Sequence, residues 1–153
     1  MKRALFLAAI ALSLSACSRH FVPATPPGFV DMGDAYPDGE YRATTADGVV
    51  IGICNVDNEP KGEMGFWAKA LENRMREVGG YALLDKHPVT NRAGQTGTEL
   101  RFGHDEGRTP HLYRIALFVT DKRIFILEAG GNKPEMERQA PQIDWAIRNF
   151  LPK

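Results

Sequence analysis

An α+β fold, a mostly antiparallel sheet of about five to six strands packed with two main helices, is what this 153-residue sequence predicts. Three observations carry it. Apolar residues recur at helical spacing in only two places, from Met64 to Val78 and from Ala140 to Leu151. Between and before them lie segments of alternating or continuous apolar character at strand length. Those segments are joined by turns too short for a crossover helix, so consecutive strands must run antiparallel.

Glu40 to Thr45 and Gly48 to Val56 read as a first hairpin, with Ala46-Asp47-Gly48 supplying the turn. The polar stretch from Asp57 to Gly62 ends strand character. Met64, Trp67, Leu71, Met75 and Val78 then form one stripe of an amphipathic helix, widened by Phe66 and Ala70 and stopped by Gly79-Gly80. Trp67 is expected to pack on the sheet. Tyr81 to Leu84 and Val89 to Thr90 look like a strand broken by His87-Pro88, since proline favours an edge or a bulge. A turn at residues 93–97 follows, then Thr98, Leu100 and Phe102 alternate with Glu99 and Arg101. Residues 103–110 are expected as a loop. Leu112 to Thr120 and Arg123 to Ala129 are apolar nearly throughout, which places them at the sheet centre. Gly130-Gly131-Asn132 should end the last strand, and Pro134 suits a first helical position. Pro141 removes a donor within the final helical pattern, so the helix must kink there or restart.

The beginning of the chain has a different character. Lys2 and Arg3 precede an apolar run from Ala4 to Leu14, the pattern of a secretory signal. The run falls short of the roughly 20 residues a membrane span needs. Leu14-Ser15-Ala16-Cys17 follows it, and at that point the chain resembles the bacterial lipoproteins. The resemblance implies cleavage before Cys17, a lipid on its thiol and a membrane as partner; an ordinary signal peptide cut near Ala16 is the other reading. Ser18 after the cysteine resembles lipoproteins sent to the outer membrane, facing the periplasm. The expected organisation is a signal peptide over 1–16, a lipidated and Pro-rich tether over 17–35, and one globular domain over 36–153. With Pro23, Pro26 and Pro27, the part of it from Ser18 to Gly28 could extend at roughly 3 Å per residue and hold the domain about 30 Å from the headgroups.

Charge excludes one class of partner. The chain has 19 Lys and Arg against 19 Asp and Glu, and loss of Lys2 and Arg3 with the signal leaves 17 against 19. No basic face is available to collect phosphates, so nucleic acid is not expected. Only two cysteines are present. If Cys17 is lipidated, Cys54 has no intramolecular partner, and its apolar surroundings suit a buried small side chain.

The chemistry-bearing residues are sparse. His104-Asp105-Glu106 with His111 is the only cluster of metal-ligand types, and its spacing matches no defined site, so no metal or other cofactor is expected. Glu135 with Glu137, and Asp57 with Glu59, sit where solvated loops or a first helical turn would put them. Arg101 and Arg114 are expected on neighbouring strands, sharing a face with Glu99 or Glu128 as cross-strand pairs or forming an arginine pair for a ligand. No nucleophile, base and orienting group are brought together, so an enzyme is not expected.

The element order resembles the PsbP-like α/β/α sandwich domains, small bacterial lipoproteins among them. The residues that carry this are Thr45-Ala46-Asp47-Gly48, Phe66-Trp67, Gly79-Gly80-Tyr81, the double strand from Leu112 to Ala129, and the helix reaching Phe150. The resemblance spans about residues 36–151 and implies a domain for binding and assembly. The expected function is a non-enzymatic envelope protein that binds another envelope protein, with His104, Asp105, Glu106 and Arg108 as a partner-contact loop. A periplasmic immunity or inhibitor protein that neutralises a toxic enzyme is the alternative.

Overall fold

A computed structural model describes residues 19–33 and 40–153, apart from the side chain of Glu106. The expected signal peptide and the Leu14-Ser15-Ala16-Cys17 motif lie outside the described residues.

Seven strands form one antiparallel sheet in the order β2-β3-β4-β8-β7-β6-β5, and β1 pairs with β9 in a small separate ladder. The strands are β1 (Phe21–Val22), β2 (Val30–Asp31), β3 (Tyr41–Thr44), β4 (Val50–Asp57), β5 (Ala82–Thr90), β6 (Thr96–Glu106), β7 (Thr109–Val119), β8 (Arg123–Asn132) and β9 (Leu151–Pro152). The sheet thus exceeds the expected five to six strands. The short β2, paired with β3, lies in the stretch expected as tether.

Helix α1 (Met64–Glu77) covers one face over β5, β6 and β7. Its stripe packs with Leu100, Phe102, Ile115 and Leu117. Trp67 is only half-buried, and its indole N–H donates to the Oδ1 of buried Asn58 at 2.8 Å. The other face is covered by α2 (Lys133–Arg138) and α3 (Ala140–Asn149) over Tyr41, Ile51, Ile53, Phe118, Phe125 and Leu127. Pro141 divides these two helices, so the helix restarts there, as one of its two expected outcomes required.

Four expectations change. Residues 103–110 are not a loop: β6 and β7 run on as paired strands to Glu106 and Thr109, with Gly107 and Arg108 as the turn. Gly107 takes φ +64°, a conformation glycine reaches without a Cβ penalty, so two residues suffice where eight were expected to wander. The strand around His87-Pro88 is unbroken, because β5 is an edge where a missing donor is tolerated; its irregularity is a bulge between Leu83 and Asp85. Residues 130–132 prolong β8 instead of ending it. Gly130 is required by packing, since a Cβ there would lie 2.7 Å from the Tyr113 ring.

The fourth change concerns the tether. Phe21 and Phe29 are buried, and Phe21 lies 5.8 Å from Phe150, ring to ring. Burying a phenylalanine contributes about 1.5–3 kcal/mol, so the described part of this segment is held on the domain instead of hanging free. Arg19 Nη2 donates to the Glu40 carbonyl at 2.7 Å, the His20 N–H to Asn55 Oδ1 at 3.3 Å, and the Lys153 N–H to the His20 carbonyl at 2.8 Å.

Candidate functional site

Helix α1 covers only part of its face. On the remainder, over β3, β4 and β8, Arg42, Val50 and Cys54 are half-buried and Val56 is exposed. Register explains the shape of this open part. Arg42 opposes Gly52, and Gly52 opposes Glu128, so a positive and a negative side chain flank a glycine in one cross-strand row. The next row on this face places Val50 opposite Gly130 and Gly130 opposite Tyr113. The two glycines lower the floor into a depression of about 270 Å³, bounded also by Tyr81 and His111.

Tyr113 and Glu128 form its polar centre. The phenol O–H donates to Glu128 Oε2 at 2.5 Å. Burial first, then the hydrogen bond to Glu128 and the charge of that carboxylate, push the phenol well above the ordinary tyrosine range. The phenol therefore stays a neutral donor at any physiological pH. Aromatic contacts extend it: Tyr81 lies 5.7 Å from Tyr113 and 5.0 Å from His104 between ring centroids. Cys54, further along the same face of β4, has its thiol pushed up to about 11 by burial, then by Glu128 and Glu40. Burial and negative neighbours both oppose a thiolate, so Cys54 is no nucleophile near neutrality.

A second polar cluster lies on the opposite face. Glu99 is 1% exposed and accepts from Arg114 Nε at 2.5 Å and from Arg101 Nη2 at 3.0 Å; His87 Nε2 lies 2.9 Å from it. Arg114 also donates to Asp144 on α3. Burial works against the Arg114 charge, but the two carboxylates outweigh it and raise its pKa. The sharing of a face by Arg101, Arg114 and Glu99 agrees with the cross-strand reading, while Glu128 points the other way. Arg114 is 7% exposed, and each of its guanidinium nitrogens already donates within the chain, to Glu99, to the Ala140 carbonyl and to Asp144.

The predicted contact residues separate. His104 stacks on Tyr81 and so flanks the open depression, while Asp105 and Arg108 are exposed toward the hairpin tip. His111 faces His104 across the β6–β7 ladder and lines the depression. Among the described residues no group of three or more His, Cys, Asp and Glu side chains converges as a metal site. Arg42, Tyr113 and Glu128 were not singled out together, because 86 positions separate the first from the last. Glycines at 52 and 130, inside otherwise apolar strands, were the available signal of a close approach.

No family model and no curated protein match this chain. Solved structures do. The chain is similar to a protein of unknown function, PA94, from Pseudomonas aeruginosa, at 15% identity and TM-score 0.61 over 78% of this chain and 88% of that one. It is similar to cyanobacterial PsbP, CyanoP, from Synechocystis, at 12% identity and TM-score 0.58 over 88% of each. LpqN, involved in cell envelope biogenesis of Mycobacterium tuberculosis, matches at 9% identity and TM-score 0.63 over 86% and 83%. At such identities the likeness is one of fold: an α+β sandwich that, among the described residues, has a seven-stranded antiparallel sheet and three helices. Fold alone assigns no activity.

Proposed function

We propose that this is a lipid-anchored protein of the bacterial cell envelope whose domain binds another envelope protein and turns over no substrate. The observation that carries the reading is the open part of the sheet: Arg42 and Glu128 flank a glycine floor, Tyr113 fixes Glu128, and the turn end of the β6–β7 hairpin borders it through His111. Opposite charges beside an aromatic wall favour one orientation of a partner surface, which is how polar groups confer specificity and register. The groups with nucleophilic atoms are poorly suited to chemistry, since both the Tyr113 phenol and the Cys54 thiol are held in their protonated forms. An envelope setting is supported by the likeness to LpqN and by the lipobox, and Ser18 supports the outer membrane. Among the described residues no helix is long and apolar enough to cross a membrane. The anchor of this reading is the lipid on Cys17.

The test is photo-crosslinking in cells from a benzoylphenylalanine placed at Val50, with one at exposed Glu137 on the opposite face as control. Recovery of one envelope protein from position 50 alone supports the reading. A purified domain that hydrolyses peptidoglycan, peptide or ester substrates, and loses that turnover in Tyr113→Phe, overturns it. Wild-type protein that incorporates no fatty acid and is released with the periplasm overturns the anchor.

A further inference from the structure

We propose that the domain rests directly against the bilayer that holds its lipid, with the pole formed by Arg19, His20, Glu40, Asn55 and Lys153 facing the headgroups and the β6–β7 hairpin turned away. The inference rests on acylation of Cys17 and adds an interaction surface to that reading.

Its basis is chain length against attachment. Arg19 is the second residue after Cys17, and consecutive Cα atoms are 3.8 Å apart, so the two Cα positions are separated by no more than about 7.6 Å. The polar layer on each side of a bilayer is about 5–7 Å thick. A Cys17 held at the membrane therefore leaves Arg19 within or just above the headgroups. Arg19 is not free to lift the domain away, because the segment after it is fastened. Its guanidinium donates to the Glu40 carbonyl at 2.7 Å and stands 5.7 Å from the centre of the Phe21 ring. Phe21 is 1% exposed, and Phe21 and Val22 pair with Pro152 and Leu151. His20 is gripped on both its backbone groups, by Asn55 and Lys153. The spacer that a free segment over residues 18–28 would supply does not exist once Phe21 is docked.

Register fixes what faces away. Tyr41 opposes Ile53, and Asp57 opposes Arg123, so the start of β3, the end of β4 and the β7–β8 turn share the pole nearest Arg19. The β6–β7 turn lies at the other end of β7, whose 11 residues span about 35 Å at roughly 3.3 Å each. Tyr81, His104, His111 and the Tyr113–Glu128 pair belong to the distal half of the sheet. The lipid surface is thus met by one end of the strands, and a partner in the aqueous space is offered the other.

Depth-dependent quenching tests this on the full-length lipidated protein carrying Cys54→Ser. Asp57→Cys, Lys153→Cys and Arg108→Cys are each labelled with a fluorophore, and the protein is reconstituted into phosphatidylethanolamine and phosphatidylglycerol vesicles containing a headgroup spin label. Labels at 57 and 153 should be quenched several-fold more than the label at 108. Equal, weak quenching at all three positions, in protein that still floats with the vesicles, overturns the docked arrangement alone. Failure to float, with Cys17 unmodified by mass spectrometry, overturns acylation and the docking with it.

Discussion

Glu99 and Glu128 sit on strands that both flank β7 and project to opposite faces of the sheet, and they meet opposite fates. Glu99 is sealed under α3 with two arginines and a histidine around it. Glu128 is half-buried, takes one phenol, and keeps its other side toward an open depression. A carboxylate enclosed by its own chain is a structural element whose loss is felt by the fold, whereas one satisfied on a single side retains acceptor capacity for something outside. The difference arises from where the helices stop, since α3 and Asp144 reach Arg114 while α1 covers Ile124 and Ile126 of β8 but leaves Glu128 and the neighbouring part of β4 open.

The largest test of the contrast is Arg114→Met. It leaves buried Glu99 with only the more exposed Arg101 and His87 as partners, and losing a hydrogen bond between charged groups there should cost about 1.5–3 kcal/mol, seen as a lowered urea midpoint with unchanged slope. A loss below about 1 kcal/mol would mean that solvent reaches Glu99 and that the two carboxylates are not distinct. The dryness of the open face is read next from Cys54. Its thiol titrates near 11 in the fold against 9.0 in an ordinary thiol, so the unfolded chain ionises first. Stability should be full below about pH 9 and fall as pH rises toward 11, and iodoacetamide alkylation of the native protein should follow the higher value. Alkylation that follows an ordinary thiol would show the face to be wet throughout.

Smaller effects discriminate function from folding. Tyr113→Phe removes one donor from Glu128 and should cost about 0.5–1.5 kcal/mol in thermal or urea unfolding. Glu128→Gln should move stability by less than about 0.5 kcal/mol but weaken crosslinked capture roughly tenfold, equivalent to about 1.4 kcal/mol of binding. A Glu128→Gln protein that unfolds early yet captures normally would reverse the assignment of roles. Smallest of all, Asp105→Ser with Arg108→Ser should leave the unfolding midpoint within about 0.5 kcal/mol of wild type, because both side chains are exposed.

Legibility in the sequence followed the range of the interactions. The α1 stripe, the first hairpin, the central β7–β8 pair and the restart at Pro141 are local patterns, readable from period and turn chemistry. The run from Gly103 to Pro110 misled because histidine, charge and glycine resemble a loop, although the ladder to β7 supplies every partner such a strand needs. Phe21 misled for a related reason: its proline-rich surroundings have no period, and its pairing strand lies at Leu151–Pro152, 130 positions away. The Glu99 cluster was half visible as alternation in β6. The row from Arg42 through Gly52 to Glu128 came into being only with sheet register, which no local window contains.

The bulge between Leu83 and Asp85 and the proline at 88 have a consequence for crowding. Strand β5 is a nine-residue edge, and among the described residues nothing pairs beyond it in the sheet. Molecules held on a membrane, as proposed for this one, meet one another far more often than molecules in bulk, and an even row of open backbone donors would let sheets join edge to edge into ribbons. Pro88 contributes no N–H, the bulge breaks the repeat of the remaining groups, and Lys86 adds charge to the same strand. These features, worth little to the stability of one molecule, keep neighbouring copies separate.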